Sequence, residues 1–290
     1  MRKHLSTIVL VILLLIGLSL LLYPTVSDYW NSFHQTRAIA TYAENVAALD
    51  NASYDAIWDA ARQYNRNLCS RSNSFLLSEE QKAEYESLLD ISGQGVMGYI
   101  EIPEIDVSLP IYHGTDAEVL DRGVGHLLGS SLPVGGKNTH TILSGHSGMA
   151  SQKMFTDLEQ LVPGDVFYLN ILGETMAYQV TEINTVLPYE TDLLGIVPGE
   201  DLCTLVTCTP YGINTHRLLV RGSRIPYEEA AVMEEETASV EPAASTWEAK
   251  YLQGLLFGCA AAVGVSAIVF LVVRIKKYPP HRKGGRYAKR

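Results

Sequence analysis

Hydrophobic and polar positions along this 290-residue chain fall into four textures. Residues 5–23 carry no charge, and only Ser6, Thr7, Gly17 and Ser19 interrupt the Leu, Ile and Val. A helix of that length, rising about 1.5 Å per residue, crosses a hydrocarbon layer about 30 Å thick. A second uncharged run occupies residues 251–273 and is closed by Arg274. Between residues 27 and 89 the apolar positions recur at three and four: Ile39, Tyr42, Val46 and Leu49, then Tyr54, Ile57, Trp58 and Ala61. That spacing predicts two or three helices. Ser78, followed by Glu79, Glu80 and Gln81, reads as an N-cap with a capping-box glutamine that opens the last of them.

From residue 98 to 225 the period shortens. Runs with β texture cover 98–102, 107–112, 140–144, 166–172, 176–187, 204–208 and 216–224, separated by Gly, Pro and Asn. Seven or eight such runs without helix-length segments between them predict a sandwich or barrel, not a parallel α/β sheet. Residues 226–250, rich in Glu and Ala without a regular apolar face, read as a solvated acidic linker. The expected organisation is therefore an anchor at 1–23, a helical segment at 24–97, a β domain at 98–225, a linker at 226–250, a second transmembrane helix at 251–273 and a tail at 274–290.

Charge gives this layout a direction. The chain carries 22 Lys and Arg against 32 Asp and Glu, net −10, yet its mean hydropathy is slightly positive at +0.07. The two apolar runs resolve that conflict. Arg2 and Lys3 precede the first, while Arg274, Lys276, Lys277, Arg282, Lys283, Arg286, Lys289 and Arg290 follow the second with no acid among them. By the positive-inside rule both termini face the cytoplasm and the acidic segment between them lies outside the membrane. A cleaved signal peptide is the alternative for the first run, with Thr25 and Ser27 as small residues near a processing site. An acidic chain of this kind excludes a nucleic-acid binder. Four cysteines in 290 residues exclude a disulfide scaffold.

The cysteines differ in context. Cys259 sits in the second apolar run, and Cys69 and Cys203 are candidates for pairing in an oxidising exterior. Cys208 ends the run Thr204-Leu205-Val206-Thr207-Cys208, before a turn-rich segment and the resumed strand texture of His216-Arg217-Leu218-Leu219-Val220-Arg221. Period two places Thr204, Val206 and Cys208 on one face and Arg217, Leu219 and Arg221 on one face. If the runs are neighbours, Arg217 stands beside Cys208. Spacing alone leaves a buried structural thiol equally open. A nucleophilic thiol needs a proton partner, usually histidine. His146 is best placed, in the Gly-flanked loop Ser144-Gly145-His146-Ser147-Gly148, whereas His113, His126 and His140 read as structural. No histidine pair has metal-ligand spacing with a third ligand and no phosphate loop occurs, so neither metal nor nucleotide cofactor is expected.

Together, the Thr204–Cys208 run, Arg217 nine residues on and the Ser-Gly-His loop at His146 resemble a sortase, a membrane-anchored cysteine transpeptidase of Gram-positive surfaces. The second anchor, Gly98-Tyr99-Ile100-Glu101-Ile102-Pro103 and Leu109-Pro110-Ile111-Tyr112-His113-Gly114-Thr115 resemble class C, the pilin-polymerising sortases. This resemblance implies a mainly β fold: a closed barrel of about eight strands with N-terminal helices, flanked by two transmembrane helices. It implies that Cys208 attacks the Thr–Gly bond of a Leu-Pro-x-Thr-Gly-like signal, that Arg217 holds the substrate or its oxyanion, and that His146 moves the proton. The acceptor it implies is a lysine amine of another pilin subunit. A sortase that attaches proteins to peptidoglycan and a non-catalytic surface adhesin or receptor are the alternative functions. One departure stands out: many class C members carry an Asp-Pro-aromatic lid motif, and residues 65–78 contain neither Asp nor Pro. Phe75 or Cys69 is left as a substitute plug, or the lid is open or differently built.

Overall fold

The computed structural model describes residues 2–69, 75, 77–149, 151–238, 256, 259–260 and 263–264. It divides into two compact units, residues 24–245 and the combination of 1–23 with 246–290. In the second unit, the N-terminal run is helical and its Leu13, Leu15 and Leu20 are exposed, as a lipid-facing helix requires. Most of the run 251–273 lies outside the described residues; Leu256, Cys259, Ala260, Val263 and Gly264, which are described, are helical.

The larger unit is a closed barrel in the strand order β1-β2-β3-β4-β7-β8-β6-β5. Its strands are β1 (Val96–Ile102), β2 (Val107–His113), β3 (Val124–His126), β4 (Thr139–Ser144), β5 (Val166–Ile171), β6 (Glu174–Val186), β7 (Asp201–Thr209) and β8 (His216–Ile225). Only β2–β3 and β4–β7 pair in parallel. Alternate residues fill the interior, including Ile100, Leu143, Phe167, Leu205 and Val220, all fully buried. Every β run expected from sequence is present within a few residues, and β3 is the addition. Three residues in the stretch Gly123-Val124-Gly125-His126 are too few and too glycine-rich to alternate visibly. Gly125 is required there, because a Cβ would lie 2.3 Å from the Gly114 carbonyl oxygen.

Three helices precede the barrel: α1 (Arg2–Ala47), α2 (Asn51–Cys69) and α3 (Glu79–Ser87). The capping box at Ser78 and Gln81 is formed as expected. The buried face of α2, Trp58, Ala61, Tyr64, Asn65 and Leu68, follows the helical period. Polar tips on buried side chains then fix the helices to the barrel. Tyr42 Oη donates to the Met97 carbonyl and accepts from the Leu172 amide, both at 2.8 Å. Asn65 exchanges two hydrogen bonds with the backbone of Leu132, as a neighbouring strand would. After β2 comes the one-turn α4 (Ala117–Leu120).

The linker differs from expectation in its first half. Residues Tyr227–Ala238 form α5, which places Ala230, fully buried, against Tyr168 and Ala177. Glu, Ala and Met are strong helix formers, and Glu228 and Glu229 lie in the first turn where the helix dipole favours acids. Tyr227, whose ring meets Tyr168 edge-on, and Met233, whose sulfur accepts from Gln179, flank Ala230 in this contact, a set too sparse to show as a regular apolar face. Residues 239–250 lie outside the described residues.

Candidate active site

Strand register builds the site. Across the antiparallel β7–β8 pair, Thr204 faces Arg221, Val206 faces Leu219 and Cys208 faces Arg217. The expected adjacency of Cys208 and Arg217 is therefore a direct cross-strand pairing. These residues lie on the outer face, because Cys203, Leu205, Leu218 and Val220 of the same strands join the interior core. Arg217 is held at the strand end by Nη1, which donates to the carbonyls of His216 at 3.0 Å and Asn214 at 3.3 Å. Those bonds tether a permanently charged guanidinium at the strand end, on the residue that pairs with Cys208.

His146 arrives from the other side. In the parallel β4–β7 pair Ser144 is the partner of Val206, and the loop beyond β4 continues alongside β7. The Gly145 amide donates to Val206 O at 3.0 Å, Thr207 Oγ1 donates to Gly145 O at 2.8 Å, and Ser147 Oγ donates to Cys208 O at 2.6 Å. His146 is thereby threaded between two residues tied to Thr207 and Cys208. Its Nε2 is 3.8 Å from Asp121 Oδ1, just after α4, a separation for charge attraction rather than a hydrogen bond. The imidazole is one-third exposed, so solvent reaches it.

The loop is braced from outside as well. Asn31 of α1 donates to Ser151 O, the Lys153 amide donates to Asp28, and Gln35 donates to Gln152. Burial raises the Asp28 carboxyl above the usual carboxylate range, partly offset by that amide and the Lys153 charge. Inside, Phe155 packs under Gly145 and its amide bonds to His146 O at 3.0 Å. A Cβ on Gly145 would stand 2.6 Å from the Phe155 ring, so Gly145→Val is expected to push Phe155 aside and displace His146. The cost is 1–3 kcal/mol in the range of core overpacking, read as a lower denaturation midpoint together with a loss of activity larger than that of Gly145→Ala.

The other thiols are elsewhere. Cys203 is fully buried, and burial, with the charge of Asp201 adding, pushes its thiol well above the usual range. Cys69 is exposed at the end of α2, with Sγ 2.9 Å from Asn138 O, beside the start of β7 and so at the opposite end of that strand from Cys208. All four cysteines are free, so Cys69 and Cys203 do not pair. Cys69 is also not a plug over Cys208. Residues 70–74 and 76 of the lid-like region lie outside the described residues; Phe75 is described and half-buried. Among the described residues no group of His, Cys, Asp and Glu has the arrangement of a metal site.

Residues 100–225 match the family model for the sortase domain. The chain is 48% identical to sortase C1 from Streptococcus agalactiae, covering 66% of this chain and 98% of that one, and the two structures superpose with a TM-score of 0.64. The chain belongs to the sortase family. Sortases are cysteine transpeptidases, and a thiol on an outer barrel face beside an arginine and a histidine suits that chemistry. Sortase C from Streptococcus pneumoniae, described for its catalysis and pilin substrate specificity, is 41% identical over 66% of this chain and 97% of its own, with a TM-score of 0.59. Among curated relatives, sortase A of S. agalactiae serotype III is 31% identical over 47% of this chain, and the match spans 58% of that relative.

Reasoning from sequence missed four residues that the structure brings to this candidate site. Ser147 was within the recognised loop, but its bond to Cys208 O needs the β4–β7 register. Asp121, Glu159 and Tyr211 come from three separate loops; Glu159 and Tyr211 share a small cavity with Cys208. No local pattern marks any of them, because their proximity is produced by barrel closure.

Proposed function

We propose that this chain is a class C sortase that polymerises pilins. The carrying observation is the register that sets Cys208 across from Arg217 and beside the His146 loop, in a chain 48% identical to a sortase C. Cys208 as thiolate attacks the Thr–Gly carbonyl of a Leu-Pro-x-Thr-Gly-like signal, and Arg217 stabilises the oxyanion. His146 protonates the departing amine, leaving a Thr–Cys208 thioester. A lysine amine of a second pilin then replaces the thiol, giving an isopeptide bond. The outer face leading to Cys208 is apolar: Ile142, Val206 and Leu219 form a cluster buried under Leu127, Val186, Leu193 and Leu194. Arg221 frames it by bonding to Glu182 and to Leu193 O. Membrane insertion through residues 1–23, with the barrel outside the cell, completes the proposal.

Full-length protein incubated with a Leu-Pro-x-Thr-Gly peptide should gain the mass of the peptide up to threonine, and lysine peptide should release it as an isopeptide-linked product. Absence of the adduct while Cys208 still reacts with a thiol reagent counts against the enzyme reading. Transfer only to peptidoglycan amines would favour the wall-anchoring alternative. Arg217→Lys keeps the charge but loses the fork, and is expected to slow adduct formation about 10²-fold, as for loss of one oxyanion donor. A rate within threefold of the unaltered protein would remove Arg217 from this role.

A further inference from the structure

The cavity at Cys208 is lined by Ser147, Thr156, Glu159, Thr209 and Tyr211, with Thr207 and Leu218 behind them. Its volume of about 10 Å3 is that of one water-sized body. Among the described residues Glu159 is the only charged one lining it, and it is exposed. It stands on the short turn Leu158–Gln160, which is held toward the His146 loop by the Thr156 hydroxyl bound to the Gly148 amide at 3.1 Å. Tyr211, 56% exposed, lies on the opposite loop with its ring over Gly148. A Cβ on Gly148 would be 3.3 Å from that ring, and its φ of +73° suits glycine, so the backbone makes the seat on which the ring rests.

An uncompensated carboxylate beside a catalytic thiolate is unfavourable for the thiolate. It becomes favourable when a cation enters, and a carboxylate with an aromatic ring is the pair that holds an ammonium. We propose that Glu159 and Tyr211 form the docking site for the ammonium group of the acceptor lysine, making them determinants of acceptor specificity. This rests on the transpeptidase reading given above. The site suits the second half-reaction, because in the thioester the sulfur is uncharged and Glu159 no longer opposes a neighbouring anion. As the acceptor moves from the site to the thioester, one proton leaves its ammonium for water. The amine lone pair then forms the N–C bond to the threonine carbonyl carbon. The second proton passes to the neutral imidazole of His146, and the C–S bond breaks with its electron pair returning to Cys208 as thiolate. The barrel is then restored with a charged His146 and a free thiolate, ready for the next signal.

The test compares two nucleophiles on preformed thioester of the full-length protein: a lysine peptide, cationic at neutral pH, and hydroxylamine, which is neutral. Glu159→Gln is expected to lower the lysine-to-hydroxylamine ratio of transfer rates about tenfold, the scale of one exposed ion pair with a ring contact. Tyr211→Ala lowers it in the same sense, Tyr211→Phe keeps it, and Glu159→Asp restores part of it. Because the readout is a ratio, general misfolding does not imitate the result. A Glu159→Gln ratio within threefold of the unaltered protein, a proportional fall with both nucleophiles, or an effect confined to thioester formation overturns the proposal. Failure of the unaltered protein to form thioester overturns the transpeptidase reading itself, a distinct outcome.

Discussion

Replacing Cys208 with alanine is expected to abolish the thioester adduct and lower peptide transfer by at least about 10³-fold, the scale of loss of a covalent nucleophile. Neither Cys203 nor Cys69 can replace it. Cys203 points into the core with its ionisation suppressed, and Cys69 stands at the far end of β7. Cys208 is half-buried at a strand end, so the alanine variant should keep its fold, with stability changed by about 0.5 kcal/mol or less. Mass spectrometry of the trapped adduct and circular dichroism of the same sample separate the two effects. Transfer retained by a folded Cys208→Ala protein would sink the catalytic role and favour the non-catalytic surface receptor.

The barrel should also lose a large share of its stability between pH 6.5 and 4. His126 and His140 are both buried and neutral, each with its pKa pushed down to about 4, chiefly by loss of solvation. The hydrogen bond from His126 Nε2 to Ser131 O and that from His140 Nδ1 to Gly195 O oppose the shift, while His113 and Arg221 respectively add to it. The unfolded chain binds protons on these rings near pH 6.5 and the native one only near pH 4, so protons favour unfolding across that interval. Stability is complete above pH 6.5 and falls as pH drops, by roughly 3 kcal/mol for each ring. Together that approaches the whole stability of many domains. Asp28 works in the opposite sense, since its raised pKa lets the native state take up a proton first. Denaturant midpoints at pH 7 and pH 4.5 read the net effect, and His140→Gln should flatten the slope by about half. A midpoint unchanged over this interval would exclude both rings as the cause.

The sequence-visible features share a property: each is produced by neighbours in the chain. The apolar run marked the N-terminal helix, periodicity marked the helices after it, alternation marked seven strands, and Ser78 with Gln81 marked a helix start to the residue. Period two even placed Cys208 and Arg217 on matching faces. What escaped was short or non-local. β3 has only three residues, α5 meets the barrel through the scattered contacts of Tyr227, Ala230 and Met233, and the lid-like stretch carries no motif by which to judge it.

By itself, then, the order of residues pointed to a mainly β domain and, through motif resemblance, to a closed barrel with Cys208, His146 and Arg217 as its candidate site, because these follow from local period and from motif. Only the tertiary structure decided that Cys69 and Cys203 do not pair, and that Glu159, Tyr211 and Asp121 converge on the site. Barrel closure joins strands distant in sequence, so the distance between two loops is fixed by strand order and register rather than by any pattern within either loop.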